Sequence, residues 1–385
     1  MDGAIVGLGL TEQGRHLGVS ARELRRRALD AAIADAGLVR GQIDGYVLVG
    51  SGFEDLRYLG INPRFSYSLQ SGGASPALAV AAAVGAVATG QAEYVACVYG
   101  ETWSSQPPLL QPNSGGPDGF DIGSYSYGYP YAFGLVGPGA VYALQARRHM
   151  ERYGTTSEQL GAVAVAARDY ASVRPGAVGY GQPITLADHQ GSRMIVDPLR
   201  LLDCSRPTDG GAAVIVTSRA RAADCAGRSV QVLGMGAGHG IGGWWDGTMF
   251  DKHADAARSG ERAYRQAGLG PDDIDVAQFY DAFSIAIVLQ LEQYGFCAAG
   301  EGGPLAAAGG TRIDGAIPTN TGGGQLSGFY ATGFTPLSEG ILQARGAAPS
   351  NQVPDVRACL VSGHGGNGGV SGSWAHATLI LGPLD

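Results

Sequence analysis

The sequence is poor in the groups that most often announce a chemistry. It has one lysine, Lys252, among 26 basic residues. That lysine lies in FDKHADAAR, an Asp- and His-flanked segment at a helix start that reads as solvated surface, so Schiff-base chemistry has little to stand on. Five cysteines (97, 204, 225, 297 and 359) are scattered, odd in number and without CxxC spacing. They form neither a disulfide framework nor a zinc site, and a reducing, cytoplasmic setting is expected. The seven histidines show no pair at helical or strand spacing, so no metal is expected. There is no basic excess: 26 basic against 34 acidic residues leave a net charge of −8. Phosphate neutralisation needs the opposite balance, which argues against nucleic acid as the main partner. The start, MDGAIVGLGL, lacks the basic and apolar regions of a signal peptide. No apolar run reaches membrane-spanning length; Leu78–Val98 comes closest and is interrupted by Thr89, Gly90, Gln91 and Glu93. No P-loop occurs, and GLGL at 7–10 lacks the third glycine and following helix of a dinucleotide fingerprint.

What is present is alternation. Strand patterns at Ala4–Gly9, Asp44–Val49, Tyr94–Tyr99 and Ala212–Thr217 interleave with an amphipathic helix, Ser20–Ala36, and an almost wholly apolar one, Ser75–Thr89. Helices are expected over about 139–153 and 157–171. Residues 101–138, rich in Gly, Pro, Ser and Tyr, are too long for a simple connection and read as a lid or ligand-covering excursion. A second half starts near Ser229, with strands at Val230–Met235, Asp275–Phe279, Ala358–Ser362 and His376–Leu381. Its helices are expected at Ala254–Ala267, 281–294 and Pro336–Arg345. The expected class is α/β with mixed sheets, in halves 1–228 and 229–385 of one topology, without a convincing residue-level repeat.

Residues 319–335, TNTGGGQLSGFYATGFT, place Phe329 and Tyr330 in a glycine-rich stretch. Such density suits tight turns or close approach to a ligand. Four segments in order carry a resemblance. They are DCSRPTDGGAAVIV (203–216), YDAF (280–283), NTGGGQLSGFY (320–330) and SGHGGNG (362–368). Together they resemble the thiolase superfamily, in its lipid-transfer-protein or sterol-carrier-protein-x branch, across nearly the whole chain. The resemblance implies two βαβαβαββ halves packed as α/β/α/β/α layers.

Departures from the family's motifs point to the chemistry. The family's nucleophilic cysteine falls on Gly73 and its second cysteine on Ser362. The histidine of its GHP motif falls on Tyr330, and the first position of its HDAF or NEAF motif on Tyr280. Without a thiolate there is no acyl-enzyme, and ordinary thiolysis or Claisen condensation is not expected. This pattern is similar to the steroid side-chain-cleaving aldolases, thiolase-fold members that lack the cysteines. That resemblance implies retro-aldol cleavage of a 17-hydroxy steroid acyl-CoA, releasing propionyl-CoA and a ketosteroid. It also implies a homodimer within a heterotetramer, bound to a zinc-ribbon and OB-fold partner of the DUF35 type, with any zinc in that partner.

A coenzyme A thioester needs neither lysine nor metal, because its α-carbanion is already delocalised and the site need only supply oxyanion donors. Tyr280 is expected to accept the hydroxyl proton and Tyr330 to donate to the enolate; the bland reading of Tyr330 is a packed core residue. Asp281 either works beside Tyr280 or, as favoured, caps the helix that follows. Asn320 holds a water or a backbone turn. His364 lies in the C-terminal glycine loop, as an active-site group or a loop histidine bonded to backbone. His239 in GMGAGHG is a weaker oxyanion candidate, and Arg193 and Arg200 are open candidates for coenzyme A contacts. Two rivals remain: an acyltransferase using Ser75 or Ser362, and a scaffold that binds acyl-CoA or lipid without turnover.

Overall fold

The computed structural model describes residues 2–50, 56–105, 137–240, 254–366 and 374–384. Lys252, most of the 101–138 excursion and Asn367–Gly368 lie outside the described residues. No helix among the described residues is long and apolar enough to cross a membrane.

One mixed sheet of nine strands organises the chain. It is built from β1 (Gly3–Leu10), β2 (Gly45–Val49), β3 (Phe65–Leu69), β4 (Val95–Thr102), β7 (Asp209–Ser218), β8 (Val230–Gly240), β9 (Val276–Gln278), β10 (Cys359–Gly366) and β11 (Trp374–Pro383). A small hairpin of β5 (Met194–Val196) and β6 (Leu199–Arg200) stands apart. The order β3-β2-β4-β7-β1-β8-β11-β10-β9 reads as one pattern twice, outward from a seam. In the first half, β1 pairs antiparallel with β7, β7 antiparallel with β4, and β4 parallel with β2. In the second, β8 pairs antiparallel with β11, β11 antiparallel with β10, and β10 parallel with β9. The seam is short: Ala4 faces Gln231 and Ile5 faces Val230.

Glycines in the seam strands explain how the outer helices sit so close. A Cβ at Gly7 or Gly9 would lie 2.4 Å from Ala32 O or 2.1 Å from Ala28 O in the Ala21–Ala36 helix. In the second half a Cβ at Gly234, Gly236 or Gly238 would lie 2.2, 1.9 or 2.3 Å from the backbone of Ala263, Ser259 or Asp255 in the Ala254–Ala267 helix. The alternating glycines therefore play the same packing role in both halves. This also gives GLGL at 7–10 a packing role. The Ala21–Ala36 helix is fixed at both ends: Ser20 Oγ accepts from Glu23 N, and Gly37 closes it at φ 68°.

The layers follow from which strand faces are apolar. The apolar Ser75–Ala88 helix and the Phe334–Arg345 helix share one buried cluster with alternate residues of both halves, including Val47, Val214, Val232 and Val361. The opposite strand faces bury Val98 and Ile215 beneath the Ala21–Ala36 helix, and Leu360 and Ile380 beneath the helices of the second half. The two inner helices are thus the middle of a helix–sheet–helix–sheet–helix stack, as the expected fold class requires. The YDAF helix spans Ser284–Gln293, starting later than expected. Edge strand β3 and the β5–β6 hairpin are additions to the expected elements; β3 (FSYSL) alternates apolar and polar residues but is short, with three of its five residues exposed.

Candidate active site

The inner helices begin close together. The turns before them, at Ser71–Gly73 and Ala331–Gly333, are the same local bridge in each half. A Cβ on Gly333 would meet Gly73 O at 2.1 Å. The ends of β9 and β10 close over this point, Gly363 and Gly365 packing against the Gly73 backbone. Helix N-termini carry partial positive charge, so the junction suits a developing anion.

Tyr280 and Tyr330 meet there. Their phenol oxygens lie 3.3 Å apart, within hydrogen-bond reach. Tyr280 is buried and Tyr330 partly exposed. The Tyr280 ring occupies the space into which a side chain at 73 would project: a Cβ on Gly73 would lie 2.0 Å from Tyr280 Cε2. Burial, then the neighbouring phenols of Tyr330, Tyr142 and Tyr99, push Tyr280 well above the usual tyrosine range. Burial also raises Tyr330, against the opposing effect of its bond to Tyr280. No cation among the described residues opposes this, which favours the neutral form of both phenols.

Two residues expected near the chemistry clasp the segments that carry the tyrosines. Asn320 sits at φ 53°. Its Oδ1 accepts from Phe279 N at 2.6 Å and its Nδ2 donates to Phe279 O at 3.0 Å. Of the two roles expected for it, the backbone one is seen. Asp281 does not cap the following helix: the cap position is Phe283, which supplies no side-chain bond. Its fully buried carboxylate reaches the other way, accepting from Gln325 N at 2.8 Å and Leu326 N at 3.3 Å. These amides belong to a π-helical turn, Gly324–Gly328, that leads into Tyr330. Gly324 has φ +57°, and a Cβ there would stand 2.1 Å from Asp281 Oδ2, so glycine is required twice over. Burial raises the Asp281 carboxyl to about 7, with the two amide bonds opposing the rise. Asn320 and Asp281 therefore stitch both sides of Tyr280 to the strand of chain ending in Tyr330.

Ser362 is a structural group. Tyr280 N donates to Ser362 Oγ at 3.0 Å, and Ser362 Oγ donates to Gln290 Oε1 at 2.5 Å. Gln290 Nε2 in turn donates to Tyr280 O at 2.8 Å. Ser75 Oγ accepts from Ser71 N at 2.6 Å. Among the described residues both serines are bonded to structural groups, Ser75 to Ser71 N and Ser362 to Tyr280 N and Gln290. His364 is buried with its ring edge-on to Tyr280 and Tyr142, at 6.3 and 6.2 Å between centroids. Strand register sets it opposite His376, with ring centroids 5.0 Å apart. A separation of twelve residues hid this pair from spacing arguments. His239 is exposed at the end of β8, with Asp255 as its charged neighbour. Arg200 Nη1 donates to Ser192 O, which ties that side chain to the β5–β6 hairpin, whereas Arg193 contributes its backbone O, which accepts from Leu201 N.

Three further aromatic residues complete the site. Tyr99 at the end of β4 and Tyr142 in the Gly137–Tyr153 helix are buried phenols, both raised by burial and then by Tyr330. Trp103 stands edge-on to Tyr330 at 6.2 Å, and its Nε1 donates to Tyr99 OH at 2.7 Å. Tyr99 and Trp103 lie in YGETW (99–103), and the pairing of two aromatic residues at a strand end is the signal the sequence offers for them.

Residues 246–382 match the thiolase C-terminal domain-like family. Over 374 residues, 93% of this chain and 94% of the relative, the sequence is 38% identical to a steroid side-chain-cleaving aldolase of Thermomonospora curvata. It is 36% identical to the 17-hydroxy-3-oxo-4-pregnene-20-carboxyl-CoA lyase of Mycobacterium tuberculosis, covering 93% of this chain and 95% of that one. Among solved structures, the Ltp2-ChsH2(DUF35) aldolase superposes with a TM-score of 0.87 at 36% identity, covering 100% of this chain and 98% of that one.

Proposed function

The chain belongs to the thiolase superfamily as an aldolase, a carbon–carbon lyase, and on that premise we propose that it cleaves the side chain of a 17-hydroxy steroid acyl-CoA with Tyr280 and Tyr330 as its acid–base pair. The substrate class comes from the names of its relatives. The observation that carries the tyrosine assignment is the 3.3 Å phenol–phenol contact built over Gly73.

In a retro-aldol reaction the hydroxyl on the β-carbon loses its proton. The bond between the α- and β-carbons then breaks, leaving a ketone, and its electron pair becomes the thioester enolate. The α-carbon then takes up a proton, which gives propionyl-CoA if the α-carbon bears a methyl group. One proton is removed and one returned, so the reaction needs no net acid or base. Two neutral phenols in contact meet that requirement. Tyr280 accepts the hydroxyl proton as its own passes toward Tyr330, which donates to the enolate. Because burial disfavours either phenolate, this relay fits the site better than a free tyrosinate base would. The N-termini of the two inner helices stabilise the enolate charge, a role that does not require a lysine.

A DUF35-type partner is the second part of this reading, supported by the Ltp2-ChsH2(DUF35) neighbour. A homodimer is the third; edge strand β3, with Tyr67 56% exposed, offers for it a sheet edge that is unpaired among the described residues. The test is co-expression with a DUF35-type partner and addition of a 17-hydroxy steroid side-chain acyl-CoA. Mass spectrometry should find equal amounts of propionyl-CoA and 17-ketosteroid, both lost in Tyr330→Phe. Acyl-CoA binding without either product would overturn the reading.

A further inference from the structure

We propose that Thr208 and Asp209 form a positioning dyad that ties the Thr102–Ser105 turn to Tyr330, so that the wall of the site and its acid move as one unit. The proposal rests on the aldolase reading of Tyr330 and adds two residues that do not touch the reacting atoms.

Thr208 holds the Tyr330 backbone from both sides. Tyr330 N donates to Thr208 Oγ1 at 3.0 Å, and the same hydroxyl donates to Tyr330 O at 3.1 Å. Tyr330 follows the π-helical turn and precedes the Phe334–Arg345 helix, in a stretch with no strand ladder of its own. A side chain thus supplies the pairing that a neighbouring strand would otherwise give.

Asp209 points to the opposite wall. Its Oδ1 accepts from Ser104 N at 2.9 Å, Ser104 Oγ at 2.7 Å and Ser105 N at 3.2 Å. Its Oδ2 accepts from Ser105 Oγ at 2.6 Å and Leu17 N at 3.1 Å. Five bonds to one fully buried carboxylate fix the turn that carries Trp103. Burial works against the charge, but the bonds from Ser105, Ser104 and Leu17 prevail and hold the carboxyl below its usual range. Trp103 then meets the Tyr330 ring edge-on and orients the Tyr99 hydroxyl. The dipeptide at the start of β7 therefore sets the Tyr330 backbone with one residue and a neighbour of its ring with the next. Displacing a reacting group by about 1 Å costs roughly 100-fold in rate, which is the scale at stake.

The experiment uses the complex with its DUF35-type partner and measures single-turnover cleavage, KM and the emission due to Trp103, taken as wild type minus Trp103→Phe. Thr208→Val keeps the shape and removes both bonds; Thr208→Ser keeps the hydroxyl. Expected is a single-turnover rate lower by about 10- to 100-fold in Thr208→Val with KM little changed, and recovery to near wild type in Thr208→Ser. Asp209→Asn should shift the Trp103 emission and lower the rate while leaving KM within about threefold. Equal rates in Thr208→Val and wild type, or loss in Thr208→Ser as deep as in Thr208→Val, would overturn the dyad. The Trp103 emission separates this outcome from failure of the aldolase reading: if wild type releases no ketosteroid, an unshifted emission in Asp209→Asn still refutes the coupling.

Discussion

The ring of Tyr280 fills the volume that a side chain at Gly73 would need. A Cβ at 73 would stand 2.0 Å from Tyr280 Cε2 and 2.4 Å from His364 O. The two positions therefore compete for one volume, although they lie 207 positions apart in the sequence. A thiol at 73 would mean moving the phenol.

Gly73→Ala should destabilise the protein by about 1–3 kcal/mol, the usual cost of forcing a group into a filled core. In the double variant with Tyr280→Ala, Gly73→Ala should cost less than in the wild-type background, because the ring contacts are gone and only the close approach to His364 O remains. Denaturant unfolding of both single variants and the double variant reads the coupling. Additive losses would mean that the two positions do not compete for space.

Tyr280→Phe and Tyr330→Phe should each lower turnover by about 100- to 10,000-fold with little change in KM, the range for removing a general acid or base. The double variant should be scarcely slower than either single one, because a relay is broken once. Steady-state kinetics would expose the alternative as two independent, multiplying losses.

Turnover should be flat between about pH 7 and 9, because burial places both phenols above the usual tyrosine value near 10. A rate that climbs tenfold per pH unit through this window would instead mark a tyrosinate base.

Asp281 should make folding stability fall as pH rises. Its carboxyl is raised from 3.8 to about 7 in the fold, so the native state binds a proton that the unfolded chain has released. Stability from this group is greatest near pH 4, declines toward pH 7 and is level above. Asp281→Asn should abolish that part of the slope. Unfolding free energies of both proteins at pH 4.5, 6 and 7.5 test it; parallel curves would count against a titrating Asp281.

Sequence by itself determined the alternating elements and the fold class, because periodicity and motif identity are local properties. Resemblance to the thiolase motifs, not their order alone, put Tyr280, Tyr330 and Gly73 in one expected site. The tertiary structure decided what that order leaves open. Only packing shows that Tyr280 replaces the residue-73 side chain in space, and that Asp281 serves the Gly324–Gly328 turn and not its own helix. Only register sets His364 against His376, and only the return of β7 beside β4 brings Thr208 and Asp209 to Tyr330 and Trp103. A hydrogen bond forms wherever donor and acceptor come within about 3 Å, and that distance is set by long-range strand pairing, not by separation along the chain.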